Sequence, residues 1–139
     1  MGQETMSLEI EPREREGITI LELHGRIIMG DEATAFRQKI RELAQIPNSR
    51  VLLNMQHVDY IDSTGLGAIV MGSSALRGAG GTIKLVNLNR RNVELLVATK
   101  LATIFEIFND EQDAVNSFFP GREIKGFDIL EFVKTQKQD

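Results

Sequence analysis

The most constraining feature of the sequence is an alternation between short apolar runs, rich in β-branched residues, and longer segments with helical periodicity. Residues 18–25 (ITILELHG) and 51–58 (VLLNMQHV) have the composition of buried strands, and each is followed by a turn and a helix-length segment. Residues 8–11 alternate between apolar and polar side chains, and Glu16-Gly17 marks a tight turn. The predicted order is therefore β-β-α-β-α-β-α-β-α. Because helix-length connections favour parallel strands and a tight turn favours antiparallel ones, we predict an α/β fold with helices packed on a mixed β-sheet.

Local signals predict where individual elements begin and end. Pro12 lacks a backbone N–H and is predicted to close the first strand. Asp31 precedes the apolar stripe of the first helix and is predicted to be its N-cap, and Asn89 and Asp110 are predicted caps of later helices. The last two predicted strands are residues 82–88 and 104–108.

Bulk properties exclude several classes of protein. A chain of 139 residues is expected to form one domain, and its net charge of −4 is unfavourable for binding nucleic acid. The absence of cysteine excludes disulfides and Cys-based metal sites. No apolar run approaches the roughly 20 residues of a membrane span, and the first residues lack the apolar core of a signal peptide. We therefore expect a cytoplasmic protein.

The segment YIDSTGLGAIV (residues 60–70) places a serine beside an aspartate at a predicted strand-to-helix turn. A nucleophilic Ser63 would need a base, but the two histidines, His24 and His57, both precede it, and the glycine spacing does not fit a hydrolase turn. No lysine follows Gly65 or Gly67, as a phosphate-binding P-loop would require. We therefore expect no enzymatic activity, no cofactor and no metal site.

A third interpretation makes Ser63 the acceptor of a phosphate. A helix that begins at Ser63 or Thr64 would expose the hydroxyl beside unpaired backbone N–H groups, where the helix dipole favours negative charge. The folded chain would then tolerate the phosphate, while a partner docked on this surface would not. The alternative, that Asp62 or Ser63 simply caps the helix, remains open at this point.

The motif DSTGLG (residues 62–67), placed after an apolar strand and before a helix of small residues, resembles the STAS family. The resemblance extends over residues 8–118 and includes GGTIKLVNL (residues 80–88) and the late FEIF run. It implies a STAS domain over residues 1–118, with residues 119–139 as an extension. The family often has Asp where Asn54 stands, a position expected to set local hydrogen bonding rather than switching.

The resemblance, which is closest to the bacterial antagonist branch, implies an anti-sigma factor antagonist. The unmodified protein would bind an anti-sigma factor with serine-kinase activity and so release a sigma factor. Phosphorylation of Ser63 would break the complex, and a metal-dependent serine phosphatase would restore it. The alternative is an accessory or scaffold STAS subunit of a stress-signalling assembly or a lipid-transport complex, without such a cycle.

The same resemblance and the pattern of small and exposed side chains suggest a binding surface around Ser63. The residues expected to form the phosphorylation loop and to contact the partner are Met29, Asp31, Asp62, Thr64, Gly65, Leu66, Gly67, Met71 and Ser74. In the extension, residues 127–133 (FDILEFV) are too apolar for a solvated tail, so they are expected either to pack on the domain or to join two copies into a homodimer.

Overall fold

The structure, a computed structural model, describes residues 6–125. The elements are β1 (Leu8–Arg15), β2 (Ile18–Ile27), α1 (Asp31–Ala44), β3 (Arg50–Ile61), α2 (Ser63–Gly78), β4 (Thr82–Val86), α3 (Arg90–Ala98), β5 (Ile107–Phe108) and α4 (Glu111–Asn116). The five strands form one sheet in chain order, with β1 antiparallel to β2 and the other neighbours parallel. The predicted order and the mixed sheet are confirmed.

Successive residues of a strand point to opposite faces of the sheet, and apolar side chains are present on both faces. Both faces are therefore covered by helices. In β2, Leu21 and Leu23 face the larger core, which the apolar sides of α1, α2 and α3 complete. Ile18 and Ile20 face a smaller cluster, which Val115 of α4 and its neighbours complete. The helices that follow β2, β3 and β4 therefore share one face of the sheet, and α4 lies on the other.

Strand β1 continues through Pro12, so the predicted end of this strand is wrong. Pro12 lies opposite Leu21 within an unbroken antiparallel register. Because β1 is at the edge of the sheet, alternate N–H groups point to solvent and a residue without an N–H does not interrupt the pairing. The following turn is as predicted, with positive φ at Glu16 (53°) and Gly17 (82°).

Of the three predicted helix caps, two are confirmed and one is wrong. Asn89 accepts a hydrogen bond from the Asn92 N–H (2.8 Å), and Asp110 accepts one from the Asp113 N–H (3.0 Å). Asp31, however, is the first residue of α1, and the N-cap is Gly30, whose φ of 109° turns the chain into the helix without a side-chain cap. The carboxylate of Asp31 is therefore left exposed at the start of α1.

Several predicted strands have different lengths in the structure. β2 and β3 run on to Ile27 and Ile61, whereas β4 ends at Val86, where Asn87 adopts a φ of 61°. The predicted strand at 104–108 is reduced to Ile107–Phe108, because the 3₁₀ turn at Leu101–Thr103 is followed by a turn at Ile104 and a bend at Phe105.

Helix α4 and the segment after it are held to the sheet by charged side chains. The guanidinium groups of Arg13 and Arg15 in β1 both pair with Glu111, Arg15 at 2.6 Å. Arg122 pairs with Glu16 (2.9 Å), and the half-buried Phe119 packs against the smaller apolar cluster. The predicted interaction of residues 127–133 lies outside the described residues. None of the helices described here is long and apolar enough to cross a bilayer.

Candidate functional site

Ser63 is the first residue of α2, and its side chain is exposed. The residue before it, Asp62, is the N-cap: its Oδ1 accepts a hydrogen bond from the Gly65 N–H (2.8 Å). The Ser63 hydroxyl makes no hydrogen bond to another described residue. Of the two residues that could have capped the helix, Asp62 does so, and Ser63 is left available to solvent.

The second carboxylate oxygen of Asp62 binds the preceding loop. Its Oδ2 accepts a hydrogen bond from the backbone N–H of Met29 (2.9 Å), and the Asp62 N–H donates to the carbonyl of Ile27 (3.3 Å). The hydrogen bonds from Met29 and then Gly65 hold the pKa of Asp62 below its usual range, because they stabilise the ionised form. A charged Asp62 therefore joins the β2–α1 loop to the start of α2.

Gly65 is required by the close approach of α2 to strand β2. A Cβ atom at this position would lie 1.9 Å from the carbonyl oxygen of Ile27, which is backbone and cannot move aside. Gly67, two residues later, has open space where its Cβ would be. The two glycines of the motif therefore differ: the first allows close packing, and the second leaves an open patch on the helix surface.

The β2–α1 and β3–α2 loops lie at the same edge of the sheet. Ile27 and Ile61, the last residues of β2 and β3, are paired in register, and both helices begin within four residues of them. Met29 is 70% exposed on the first loop, and Asp31 is exposed at the start of α1. This arrangement supports the expectation that Met29, Asp31 and Ser63 belong to one rim.

The predicted contact residues on α2 differ in how far solvent or a partner can reach them. Met71 is 68% exposed and Ser74 is also exposed, while Thr64 and Gly67 are half-buried. Gly65 and Leu66 are buried, so they shape the start of the helix and are not available for contact. Val70 is only partly buried against the core.

The two histidines lie together on the sheet. His24 and His57 are register partners on β2 and β3 and stack with ring centroids 5.0 Å apart, and His24 Nε2 is 3.3 Å from Glu11 Oε1. His57 lies within β3, which continues to Ile61, rather than at the strand end expected from the sequence. Each ring is therefore engaged with its neighbour on the sheet, in agreement with a structural role.

Asn54 has the local hydrogen-bonding role expected of it. Its side-chain amide donates to Glu22 Oε1 (2.8 Å), and its oxygen accepts from the Gln56 N–H (3.2 Å). Asn54 is buried on β3. It satisfies neighbouring polar groups on the face of the sheet that carries α4, away from the helices that flank Ser63.

Several exposed or half-buried residues near this site were not predicted from the sequence. Tyr60 is 44% exposed just before the motif, with the Arg91 guanidinium 6.0 Å from its ring centre. Arg37 and Arg41 on α1 border a groove that also includes Met71. Their spacing of four residues was a signal that they share one side of the helix.

Comparison with known proteins agrees with this geometry. The family model described as "STAS domain" matches residues 9–114. The chain belongs to the STAS family. Two relatives are each named "Anti-sigma-B factor antagonist". The one from Listeria monocytogenes is 35% identical over 108 residues, covering 76% of this chain and 91% of its own. The one from Bacillus subtilis is 29% identical over 102 residues, covering 73% and 92%.

A solved structure shows the same fold. The anti-sigma factor antagonist from Mycobacterium paratuberculosis superposes with a TM-score of 0.69 at 20% identity, covering 80% of this chain and 93% of its own. At this identity the likeness concerns the fold alone. The STAS fold thus accounts for the order of the strands and for the placement of the Ser63 turn between β3 and α2.

Proposed function

We propose that this STAS domain is an anti-sigma factor antagonist that is switched by phosphorylation of Ser63. The unmodified protein binds an anti-sigma factor with serine-kinase activity in the cytoplasm and thereby releases a sigma factor. The kinase transfers the γ-phosphoryl group of ATP to the Ser63 hydroxyl, with loss of its proton and release of ADP. A metal-dependent phosphatase later hydrolyses the ester. The domain itself is a substrate and a binding partner, not a catalyst.

The observation that carries this proposal is that Asp62 makes the structural hydrogen bonds at this turn while the Ser63 hydroxyl makes none to a described residue. Asp62 makes the cap and the loop contact, while the neighbouring hydroxyl is exposed at the first position of α2. Modification of Ser63 therefore removes no hydrogen bond to another described residue. A phosphate there would also sit at the positive end of the α2 dipole, which offsets part of its charge.

The same position explains why a docked partner would be expelled. Phosphorylation adds about −1.5 to −2 charge next to the ionised Asp62. When a partner covers the rim that includes Met29 and Asp31, that charge must be desolvated without a matching cation. A penalty of about 3 kcal/mol would weaken binding more than a hundredfold.

The accessory or scaffold role is the second candidate, and it differs in one measurable respect. Such a subunit would bind through the same α2 surface, with exposed Met71 and Ser74, without depending on the charge at Ser63. The curated relatives are named antagonists, which supports the switched role.

The decisive experiment is a pull-down from native lysate with wild type, Ser63→Asp and Gln38→Asp, followed by identification of the retained proteins. Gln38 is the matched control because it is exposed on α1, borders a different groove and is not a predicted partner contact. We expect a kinase-like protein retained by wild type to be lost with Ser63→Asp and kept with Gln38→Asp. With that protein and ATP, mass spectrometry should place one phosphate on Ser63. Equal retention by all three proteins, or modification at Thr64 alone, would contradict the proposal.

A further inference from the structure

A groove of about 300 Å³ runs between α1 and α2 on the helical face of the molecule. Its floor is formed by small or apolar residues, and the two helices are close there: a Cβ on Gly72 would lie 3.0 Å from Ile40. One rim of the groove contains the exposed Met71, and the other contains Arg37 and Arg41. The groove is thus apolar inside and basic along one side.

The two arginines are not neutralised within the part of the chain that the structure describes. Neither Arg37 nor Arg41 makes an ion pair or a side-chain hydrogen bond with residues 6–125, whereas their neighbours Lys39 and Glu42 pair at 3.6 Å. Because they are four residues apart, they lie on the same side of α1. An occupant that fits this groove therefore needs apolar side chains with carboxylates beside them.

The chain itself contains such a segment. Residues 127–133 (FDILEFV) have five apolar side chains and two carboxylates, Asp128 and Glu131, three positions apart. We propose that residues 127–133 of one copy occupy the α1–α2 groove of a second copy, with these carboxylates facing Arg37 and Arg41. The exchange is reciprocal, so a symmetric dimer has two identical contacts.

The position of the chain at Lys125 favours a second copy over the same one. The Lys125 N–H donates to Asp113 Oδ1 (3.4 Å) on α4, which packs on the face of the sheet opposite α1 and α2. For the whole segment to lie in the groove of its own copy, Phe127 would already have to be on the other side of the sheet. Gly126 and Phe127 together extend by at most about 7 Å from Lys125. Packed layers are roughly 10 Å apart, so this reach is too short to pass from the α4 side of the sheet to the α1–α2 side.

This dimer goes beyond the proposed function and does not depend on it. One consequence does rest on that function: because Met71 borders the groove and is also a predicted partner contact, the dimer and the anti-sigma factor would compete for one surface. A dimer would then have to dissociate before either copy could bind the anti-sigma factor through this surface. The dimer can be tested without any partner.

The first test measures mass in solution by sedimentation equilibrium on the full chain and its charge-reversed variants. We expect wild type to dimerise, and both Arg37→Glu/Arg41→Glu and Asp128→Lys/Glu131→Lys to dimerise at least about tenfold more weakly. Mixing the two variants should restore dimers, because each groove then meets a segment of opposite charge. Circular dichroism checks that each variant is folded. A monomeric wild type, or a dimer that survives both reversals, would overturn the proposal.

The second test uses the absence of cysteine from the chain, which lets single introduced thiols report proximity. A chain with Met71→Cys is mixed with a chain with Leu130→Cys and oxidised. A disulfide-linked dimer of the two chains is expected. The control is Gln38→Cys, since Gln38 borders a different groove, between α1 and β1. Equal cross-linking of Leu130→Cys to both positions, or none to Met71→Cys, would contradict the assignment.

Discussion

Asp62 and Met29 are 33 residues apart in the chain, yet the Asp62 carboxylate accepts a hydrogen bond of 2.9 Å from the Met29 backbone N–H. Through this bond Asp62, the residue before Ser63, fixes the β2–α1 loop, on which the Met29 side chain is 70% exposed. The contact surface is therefore preformed by a side chain that is not itself modified.

Replacing Asp62 by Ala should lower the free energy of unfolding by about 1–2 kcal/mol, because the helix cap and the loop contact are lost together. Urea denaturation would measure the change. The matched control is Asp31→Ala, since Asp31 is acidic and also in the first turn of a helix but makes no cap hydrogen bond. Its effect should stay within about 0.5 kcal/mol. Equal losses for both variants would show that the Asp62 hydrogen bonds contribute nothing specific.

Gly65→Ala and Gly67→Ala should have opposite effects on stability. The added methyl at Gly65 would lie 1.9 Å from the Ile27 carbonyl oxygen, so we expect a loss of more than about 3 kcal/mol or a failure to fold. Gly67 has open space, and alanine is the better helix former, so a gain of about 0.5–1 kcal/mol is expected. Thermal unfolding of both variants checks this. A well-folded Gly65→Ala would refute the close approach of α2 to β2.

Ser63→Asp should leave the unfolding transition nearly unchanged, within about 0.5 kcal/mol, while it weakens partner binding. The reason is that the Ser63 side chain makes no described hydrogen bond and that a carboxylate in the first turn of a helix is favourable. Calorimetric unfolding of wild type and variant gives the comparison. A large loss of stability would mean that Ser63 supports the fold, which a reversible switch could not tolerate.

Stability should decrease in acid because of the ion pairs of Glu111. Hydrogen bonding from Arg13, followed by that from Arg15, lowers the pKa of Glu111 in the folded chain. A lowered folded pKa gives stability that is present above the unfolded pKa, about 4.3, and is lost as pH falls through the folded value. Glu111→Gln should therefore be less stable at neutral pH and less sensitive to acid below pH ~4.3. The control is Glu9→Gln, an exposed residue of β1. An unchanged acid transition in Glu111→Gln would contradict the prediction.

The order of elements and the exposed Ser63 turn could be predicted from the sequence because both depend on local patterns. Apolar periodicity separated strands from helices, and an aspartate and a serine before a helical run marked the start of α2. The hydrogen bond from Met29 to Asp62 could not be predicted in this way. It depends on β2 and β3 being paired so that Ile27 lies beside Ile61, which is a property of the sheet and not of either segment.

The wrong predictions for Asp31, Pro12 and β5 also arose because local patterns do not show the surrounding structure. Asp31 looked like a cap because the residue type is suitable, but the chain enters α1 through the positive φ of Gly30, which places the cap one residue earlier. The first strand has the alternation of an edge strand, which the sheet order confirms, but Pro12 was wrongly predicted to end it because proline cannot donate a hydrogen bond to a neighbouring strand. β5 is shorter than predicted because a 3₁₀ turn precedes it at Leu101–Thr103, and the pattern of apolar residues gave no indication of this turn.

The position of Pro12 also governs how copies of this protein can meet. An unpaired strand edge can act as a template for the strand of another molecule, and repeated addition leads to fibrillar aggregates. Along β1 that route is obstructed by Pro12 and by the surrounding charges of Glu9, Glu11 and Glu14. Addition of a further strand along β1 is therefore obstructed, whereas the proposed contact through the α1–α2 groove leaves this edge of the sheet unused.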